Sequence, residues 1–456
     1  MINVVIAGNN ALSQHIASIL AQEQHNVFII DEESDSSHEA APIANVTIQK
    51  GSATDWELLE DFLEFSPNIF VALTDHDETN LVACAIAKQL QYPRAVAYVH
   101  DSRFLEKARI DFNHIFSVDY FICPEVTIAQ DILKYVISPG SLALENFAYG
   151  ALQLRTLLIP EDWKEGGVPL RDLDFKGNII VGLLRRSIRD EETYALNPTL
   201  IFPHGEDVIL PGDEVTFIGE TDAVSALHEK FGITQKEIRS VVIMGGSDTA
   251  LQLAKLLSAR NINVRIIEKD YAKCTSLSER LPNCTIMHHN TLDLDFLRLE
   301  KIGKADLIVA CTNQDEHNVL AAFLGKEVGC QEIIVMLSNL SCVPILERVG
   351  IKHIVSPRIS ATNLILSQMF SGRVNSLISL YENQAEVLEI TVSMNSKIAG
   401  IPISELGPYL PKDFLIVMIQ NRGRIMIAHG NRIISPGDTV IVVTDPKNIE
   451  ELEQIF

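Results

Sequence analysis

Two short segments carry the residue types that a phosphate-binding turn uses. Gly8-Asn9-Asn10-Ala11-Leu12-Ser13 and Gly245-Gly246-Ser247-Asp248-Thr249-Ala250 each follow an apolar run and open a helical pattern. A dinucleotide fingerprint places small residues where the chain turns tightly, where backbone meets pyrophosphate, and where helix packs on strand. Only the first of those glycines, Gly8 and Gly245, stands in each segment. Asn10 and Ser247 take the position of closest approach, where a Cβ crowds a phosphate although an amide or hydroxyl can still hydrogen-bond to it. Asp248 suits a helix N-terminus but repels a phosphate, so the first loop is the better candidate, the alternative in both being a purely structural turn.

Asp31 and Glu268 lie 23 residues beyond their first glycines, at the ends of the next apolar runs. A carboxylate there can accept hydrogen bonds from a ribose hydroxyl. Thr74 and Thr312 open the related segments Thr74-Asp75-His76-Asp77-Glu78-Thr79-Asn80 and Thr312-Asn313-Gln314-Asp315-Glu316-His317-Asn318. Both follow the fourth predicted strand, at the sheet edge where open α/β proteins hold ligands. Helix capping, with Thr or Asp as N-cap, reads the same residues without a ligand. His288-His289 near Cys284 lack further ligands at zinc spacing, so no metal site is expected. With no HExxH, nucleophile elbow or P-loop, no catalytic residue is assigned.

These residues need elements to hold them, and the chain repeats its own plan. Val4-Val5-Ile6-Ala7-Gly8 returns as Val241-Val242-Ile243-Met244-Gly245, and Asp77, Glu78 and Asn80 return as Asp315, Glu316 and Asn318. Pro211-Gly212-Asp213 returns as Pro436-Gly437-Asp438, read as tight turns without chemistry. In the first half, strands are predicted at about 2–7, 26–30, 46–49, 69–73 and 95–99, with helices at about 11–22 and 78–91. Short apolar strands between helical patterns predict doubly wound parallel sheets, and the second half reads likewise from Ser240. Residues from about 146 to 232 and from 386 to 444 alternate apolar residues with turns, predicting a small β-rich unit after each. Pro124–Val136 and Pro357–Leu380 read as connecting helices. The fold class is thus α/β, with two Rossmann-like doubly wound parallel sheets each followed by a small β-rich α+β subdomain.

Composition bounds the partners. With 37 Lys+Arg against 60 Asp+Glu, the net charge is −23. Nucleic acid and anionic lipid are therefore disfavoured, whereas a Lys/Arg-rich protein surface, such as the cytoplasmic face of a membrane protein, is attracted. Seven cysteines form no CxxC pair and several sit in apolar runs, as in a reducing cytoplasm. No run of about 18 uncharged apolar residues exists, and the start reads as a buried strand, so neither a membrane span nor a signal peptide is expected.

The order of units, the Asp-Glu-x-Asn segments and the Pro-Gly-Asp turns together resemble the family of bacterial Trk potassium-uptake regulatory proteins, built from two tandem RCK (regulator of potassium conductance) units. The resemblance covers essentially the whole chain. It implies a Rossmann-like RCK-N at 1–123, a connecting helix at 124–145 and an RCK-C at 146–232, then the same series at 238–356, 357–383 and 384–456. It also implies a non-enzymatic gating ring, tetrameric and cytoplasmic, peripheral on the inner membrane face. The ring would dock on a potassium-translocating membrane protein and respond to NAD(H) or an adenine nucleotide. Carried onto this chain, the nucleotide site comprises Gly8, Asn10, Asp31 and Thr74, with Gly245, Ser247, Glu268 and Thr312 in the second half. Tyr98 and Met336 stand in the fifth strands where the family often has Arg, removing a positive charge near the phosphates. The competing readings are an NAD(P)-dependent oxidoreductase, for which no acid-base group is evident, and a soluble nucleotide sensor without a membrane partner.

Overall fold

The computed structural model describes residues 2–22, 24–32, 45–106, 110–175, 178–189, 196–233, 236–351, 353–369, 374–381, 384–421 and 423–456. Strand β1 (Asn3–Ala7) is apolar on both faces, as a strand must be when helices cover both sides of its sheet. It is followed by α1 (Ala11–Gln22), β2 (Asn26–Asp31), β3 (Val46–Lys50), α2 (Trp56–Asp61), β4 (Ile69–Ala72) and α3 (Asp77–Gln89). Then come β5 (Ala95–Tyr98), α4 (Phe112–Ile115), β6 (Tyr120–Ile122) and α5 (Pro124–Ile137). The six strands pair in parallel in the order β3-β2-β1-β4-β5-β6. That order reverses beside β1, which opens a crevice at the carboxyl ends of β1 and β4.

An antiparallel sheet follows, formed by β7 (Ser141–Phe147), β8 (Leu152–Leu158), β9 (Ile179–Arg189), β10 (Leu196–Ile201) and β11 (Glu214–Glu220), with short helices α6 (Thr221–Ser225) and α7 (Leu227–Lys230). The second Rossmann lobe contains β12 (Ser240–Met244), α8 (Asp248–Ser258), β13 (Asn263–Glu268), α9 (Tyr271–Arg280), β14 (Thr285–His288) and α10 (Leu294–Leu299). It continues with β15 (Leu307–Ala310), α11 (Asp315–Glu327), β16 (Glu332–Met336), α12 (Val343–Arg348), β17 (His353–Val355) and α13 (Pro357–Met369). Its sheet order, β14-β13-β12-β15-β16-β17, reproduces the first. The last sheet holds β18 (Val374–Leu380), β19 (Ala385–Thr391), β20 (Phe414–Asn421), β21 (Arg424–Ile427) and β22 (Thr439–Thr444), with α14 (Ile449–Ile455) behind them. Its order β18-β19-β22-β20-β21 matches β7-β8-β11-β9-β10 strand for strand.

The first connecting helix ends within one residue of the sequence pattern but short of the bound at 145 that the resemblance implies, and the second ends well short of Leu380. The segment 124–145 leaves its helix at Ile137, turns through Gly140 at φ +83° and enters β7. The segment 357–383 leaves its helix at Met369, and Val374–Leu380 is a strand paired antiparallel with β19. Val374, Asn375, Ser376, Ile378 and Ser379 are poor helix formers, and apolar content alone concealed the change of period.

The chain divides into two compact units, one of residues 1–136 and 238–369, the other of 137–237 and 370–456. In the first unit the two Rossmann lobes exchange helices. Ile128, Ala129, Ile132, Leu133 and Val136 of α5 join the core formed by Leu251, Ala254 and Leu257 of α8 on the second lobe. In return α13, with Ala361, Ile365, Leu366 and Met369 buried, lies against α1 and β6 of the first lobe. Arg94 Nη1 donates to the Gln368 carbonyl at 2.6 Å, and Ser360 Oγ donates to Asp131 Oδ2 at 2.6 Å.

In the second unit the two antiparallel sheets share a core of Leu152, Leu154, Leu183 and Ile218 with Val387, Val417, Ile441 and Val443. The Pro-Gly-Asp segments are turns, with Gly212 at φ +84° and Gly437 at φ +86°. The aspartate also anchors the strand behind it. Asp213 accepts the Leu210 N–H at 2.8 Å and both Nε and Nη2 of Arg186 at 2.8 and 2.7 Å. Asp438 accepts from the Ser435 N–H at 2.9 Å and from the Asn421 amide. Removing one partner of a buried ion pair leaves the other charge uncompensated. Asp213→Ala is expected to destabilise the antiparallel unit by about 3 kcal/mol, read as an early transition in urea unfolding of the full chain.

Candidate functional site

At the crevice the chain turns from β1 to α1 through Gly8, at φ +106°, and from β12 to α8 through Gly245, at φ +112°. A Cβ on Gly8 would lie 2.7 Å from the Leu73 carbonyl oxygen, and one on Gly245 would lie 2.5 Å from Thr312 Cγ2. The first glycine of each loop is thus demanded by the close approach of the turn to the end of the neighbouring strand. Asn10 Oδ1 accepts the Leu12 and Ser13 N–H groups at 3.0 Å each, while its Nδ2 donates to the Leu73 carbonyl at 2.7 Å. Ser247 Oγ accepts the Ala250 N–H at 3.2 Å and donates to the Cys311 carbonyl at 2.6 Å. The residues that replace the second glycine therefore cap the helix and tie the turn to the neighbouring strand's end.

The strand-end acids differ between the lobes. Asp31 Oδ2 accepts from Asn9 Nδ2 at 2.9 Å, and Asp31 pairs in register with Lys50 on β3. Glu268, 8% exposed, turns back onto its own loop. Its Oε2 accepts the Gly246 N–H at 2.6 Å and its Oε1 the Asp270 N–H at 2.8 Å. Asp31 is thus held in part by a side chain that can rotate away, whereas Glu268 is held by two backbone amides that cannot.

Thr74 and Thr312 belong to one buried clip, repeated in each lobe. Asn80, fully buried, accepts at Oδ1 from Thr74 N–H at 2.9 Å and Thr74 Oγ1 at 2.7 Å. Its Nδ2 donates to the carbonyls of Thr74 at 2.8 Å and Tyr98 at 2.9 Å. Asn318 binds Thr312 and the Met336 carbonyl in the same way. The capping expected of Thr or Asp is not what these residues do. The N-caps are His76 and Gln314, neither with a side-chain capping bond. Asp77 instead accepts the N–H groups of His100 and Asp101, at 2.9 Å each, and Asp315 those of Ser338 and Asn339, at 3.0 and 2.8 Å. The loop after the fifth strand passes beside the helix start with unpaired amides, and a carboxylate two-pronged toward that loop satisfies more donors than a cap would.

Between the lobes lies a cavity of about 800 Å³, lined by Asp75, Asp77, Asp101 and Arg103 of the first lobe and by Asp248 and Arg280 of the second. Gln252 Nε2 on α8 closes one side by donating to Ser102 Oγ at 2.8 Å. Burial, and to a lesser degree the Asp248 carboxylate, pushes the Glu125 carboxyl at the start of α5 above the usual range. Tyr98 lies edge-on to His100, with ring centroids 5.1 Å apart, and burial and the Glu125 carboxylate raise its phenol. His288 and His289 do not face each other. His288 Nε2 meets the Lys269 carbonyl at 3.0 Å, and His289 stacks on Phe296 at 3.9 Å with its Nε2 2.9 Å from Asp293.

The model of the TrkA-N domain matches residues 4–118 and again 241–357, the two Rossmann lobes, and that of the TrkA-C domain matches 387–456. The chain belongs to the TrkA family. It is 28% identical over 460 residues to Trk system potassium uptake protein TrkA homolog 2 of Methanosarcina mazei, covering 99% of each chain. It is 26% identical over 467 residues to the Trk system potassium uptake protein TrkA of Haemophilus influenzae, covering 99% of this chain and 98% of that one. Its fold is that of the GsuK RCK domain, with a TM-score of 0.60 at 17% identity over 100% of this chain and 94% of that one. The GsuK channel bound to NAD superposes with the same TM-score, 0.60, covering 78% of that chain.

Against this TrkA fold, the eight residues expected at the nucleotide site fall into two sets. Gly8, Asn10, Asp31 and Thr74 gather at the crevice of the first lobe through the Asn9 and Leu73 bonds, and Gly245, Ser247, Glu268 and Thr312 at that of the second. The two sets share no element. Sequence reasoning singled out Asn80 and Asn318 only as part of a capping motif. Their full burial was legible in hindsight from an Asn recurring among apolar helix residues. The cavity residues Asp101, Asp248 and Arg280 had no such signal, because positions distant in the chain meet there. Leaving buried donors and acceptors unpaired costs about 1–3 kcal/mol per group. Asn80→Ala is expected to destabilise the first lobe by about 3 kcal/mol and Asn318→Ala the second similarly, measured by hydrogen exchange at the Thr74 and Thr312 amides.

Proposed function

We propose that this chain is the cytoplasmic, nucleotide-sensing regulatory subunit of a Trk-type potassium uptake system, gating a potassium-translocating membrane protein. The observation that carries the reading is the match along 99% of the chain to proteins named for Trk potassium uptake. No helix among the described residues is long and apolar enough to cross a membrane, which accords with a subunit acting from the membrane's inner face on a separate pore. Four copies form the ring, and the ligand is NAD(H) or an adenine nucleotide.

The first lobe is the better sensor. A ribose hydroxyl reaching Asp31 competes with the Asn9 side chain among its partners, whereas at Glu268 it competes with two backbone amides. Gly8, Asn10 and Thr74 border the phosphates there, and Gly245, Ser247 and Thr312 hold the corresponding place in the second lobe. Gating needs no covalent chemistry. A nucleotide bound more tightly in one arrangement of the lobes shifts the population of that arrangement, and the attached pore follows.

Calorimetric titration of the full chain with NADH, NAD, ATP and ADP tests the reading. Saturable binding of at least one nucleotide is expected, weakened at least tenfold in Asp31→Ala, about 1.4 kcal/mol, and less than threefold in Glu268→Ala. In cells lacking the chain, slow potassium uptake should be restored by the wild type. Absence of nucleotide binding together with unrestored uptake would overturn it.

A further inference from the structure

The two Rossmann lobes share a fold and differ sharply in charge. Residues 1–123 hold 6 Lys+Arg against 18 Asp+Glu, while residues 238–356 hold 13 of each. Half of the chain's net charge of −23 therefore sits on the first lobe, and the second is neutral.

Four of these acids share one face. Helix α2 and the 3-10 turn Phe62–Phe65 bury Leu58, Leu59 and Phe62, and Tyr92 Oη holds the helix by donating to the Leu59 carbonyl at 2.8 Å. Outward they show Glu57, Glu60, Asp61 and Glu64, flanked by two large aromatics, Trp56 at 54% and Phe65 at 50% exposure. Among the described residues none of these four acids has an ion-pair partner, and no Lys or Arg occurs between Gly51 and Ala87.

Helix physics calls for only one of these charges, Glu57 in the first turn, which the helix dipole favours. Glu57 and Asp61, and Glu60 and Glu64, are like charges four residues apart, and Asp61 and Glu64 sit at the end where the helix dipole favours cations. The second lobe keeps an acid only at the first of these positions, Asp295 for Glu57, and manages without the other three. There α10 is capped by Asp293 as α2 is by Asp55, yet Arg298 stands where the first lobe has Glu60, with Lys301 and Lys304 exposed beyond it. Glu60, Asp61 and Glu64 are thus maintained at a local cost, which an outside cation would relieve.

We propose that this acidic, aromatic-flanked face of the first lobe docks the Lys/Arg-rich cytoplasmic surface of the membrane potassium-transport protein. The inference rests on the regulatory reading above and names the surface it uses. Cytoplasmic loops of membrane proteins carry an excess of Lys and Arg, which complements four unpaired carboxylates. Trp56 and Phe65 supply the aromatic anchors from which stable interfaces draw most of their energy. A second copy is a poorer occupant, since another first lobe is equally acidic and the second lobe is neutral. Anionic lipid is repelled by the same charge.

The test is co-sedimentation of the purified full chain with liposomes holding a Trk-type potassium transporter and with empty anionic liposomes. The triple variant Glu57→Lys, Glu60→Lys, Glu64→Lys is compared with the wild type and with Arg298→Glu, Lys301→Glu, Lys304→Glu in the second lobe. The first triple variant should lose at least tenfold in affinity for transporter liposomes, the second less than twofold, with nucleotide titration unchanged in both. Trp56→Ala alone should weaken binding several-fold. Equal binding by the first triple variant and the wild type overturns the proposal, as does equal binding to empty liposomes. A change of self-assembly in that variant with transporter binding retained overturns it in favour of a contact between copies. A wild type that ignores transporter liposomes altogether overturns the regulatory reading beneath it.

Discussion

Each Rossmann lobe has an apolar helix stripe that its own segment leaves bare, and the other lobe's closing helix covers it. Helix α8 presents Leu251, Ala254 and Leu257 to α5, which enters from the first lobe. Each buried leucine in such a seam is worth about 1.5–3 kcal/mol, so neither lobe reaches its full core alone. The exchange brings the loops after β4 and β5 of the first lobe to the start of α8 on the second. The cavity and the Gln252–Ser102 bond exist only because of it. A ligand that alters one lobe's loops therefore meets the other lobe directly.

Within each lobe a second constraint sets the crevice. The turn after β1 must pass close to the end of β4, which admits no Cβ at Gly8 and leaves Leu73 O to be satisfied by Asn10. One lobe uses an amide for this and the other a hydroxyl, and in both the polar atom that replaces glycine is consumed by the fold. What varies between lobes is the acid beside it, bonded to the Asn9 side chain as Asp31 and to two backbone amides as Glu268.

The fold was legible where pattern is local. The two parallel sheets, the β-rich unit after each and the helices at Ala11 and Asp77 follow from apolar runs and from the repeat. The second connector was misjudged because Pro357 marks its helix start clearly, while Met369 ends without a Gly or Pro at the next position. Gly8, Gly245, Asp31 and Glu268 were placed at the crevice by spacing alone. The work of Asn80, Asp77 and Arg280 was hidden, because each acts on an atom whose position depends on strand order or on helix exchange rather than on neighbours in the chain.

The helix exchange also bears on how the protein is made. Helix α1 waits for α13, and residues 138–356 must be synthesised between the end of α5 and the start of α13. At 5 to 20 residues per second that interval lasts roughly 10 to 45 s, during which the first lobe emerges with an uncovered apolar stripe. The yield of a chain with this topology should therefore respond to translation speed across the middle of the gene.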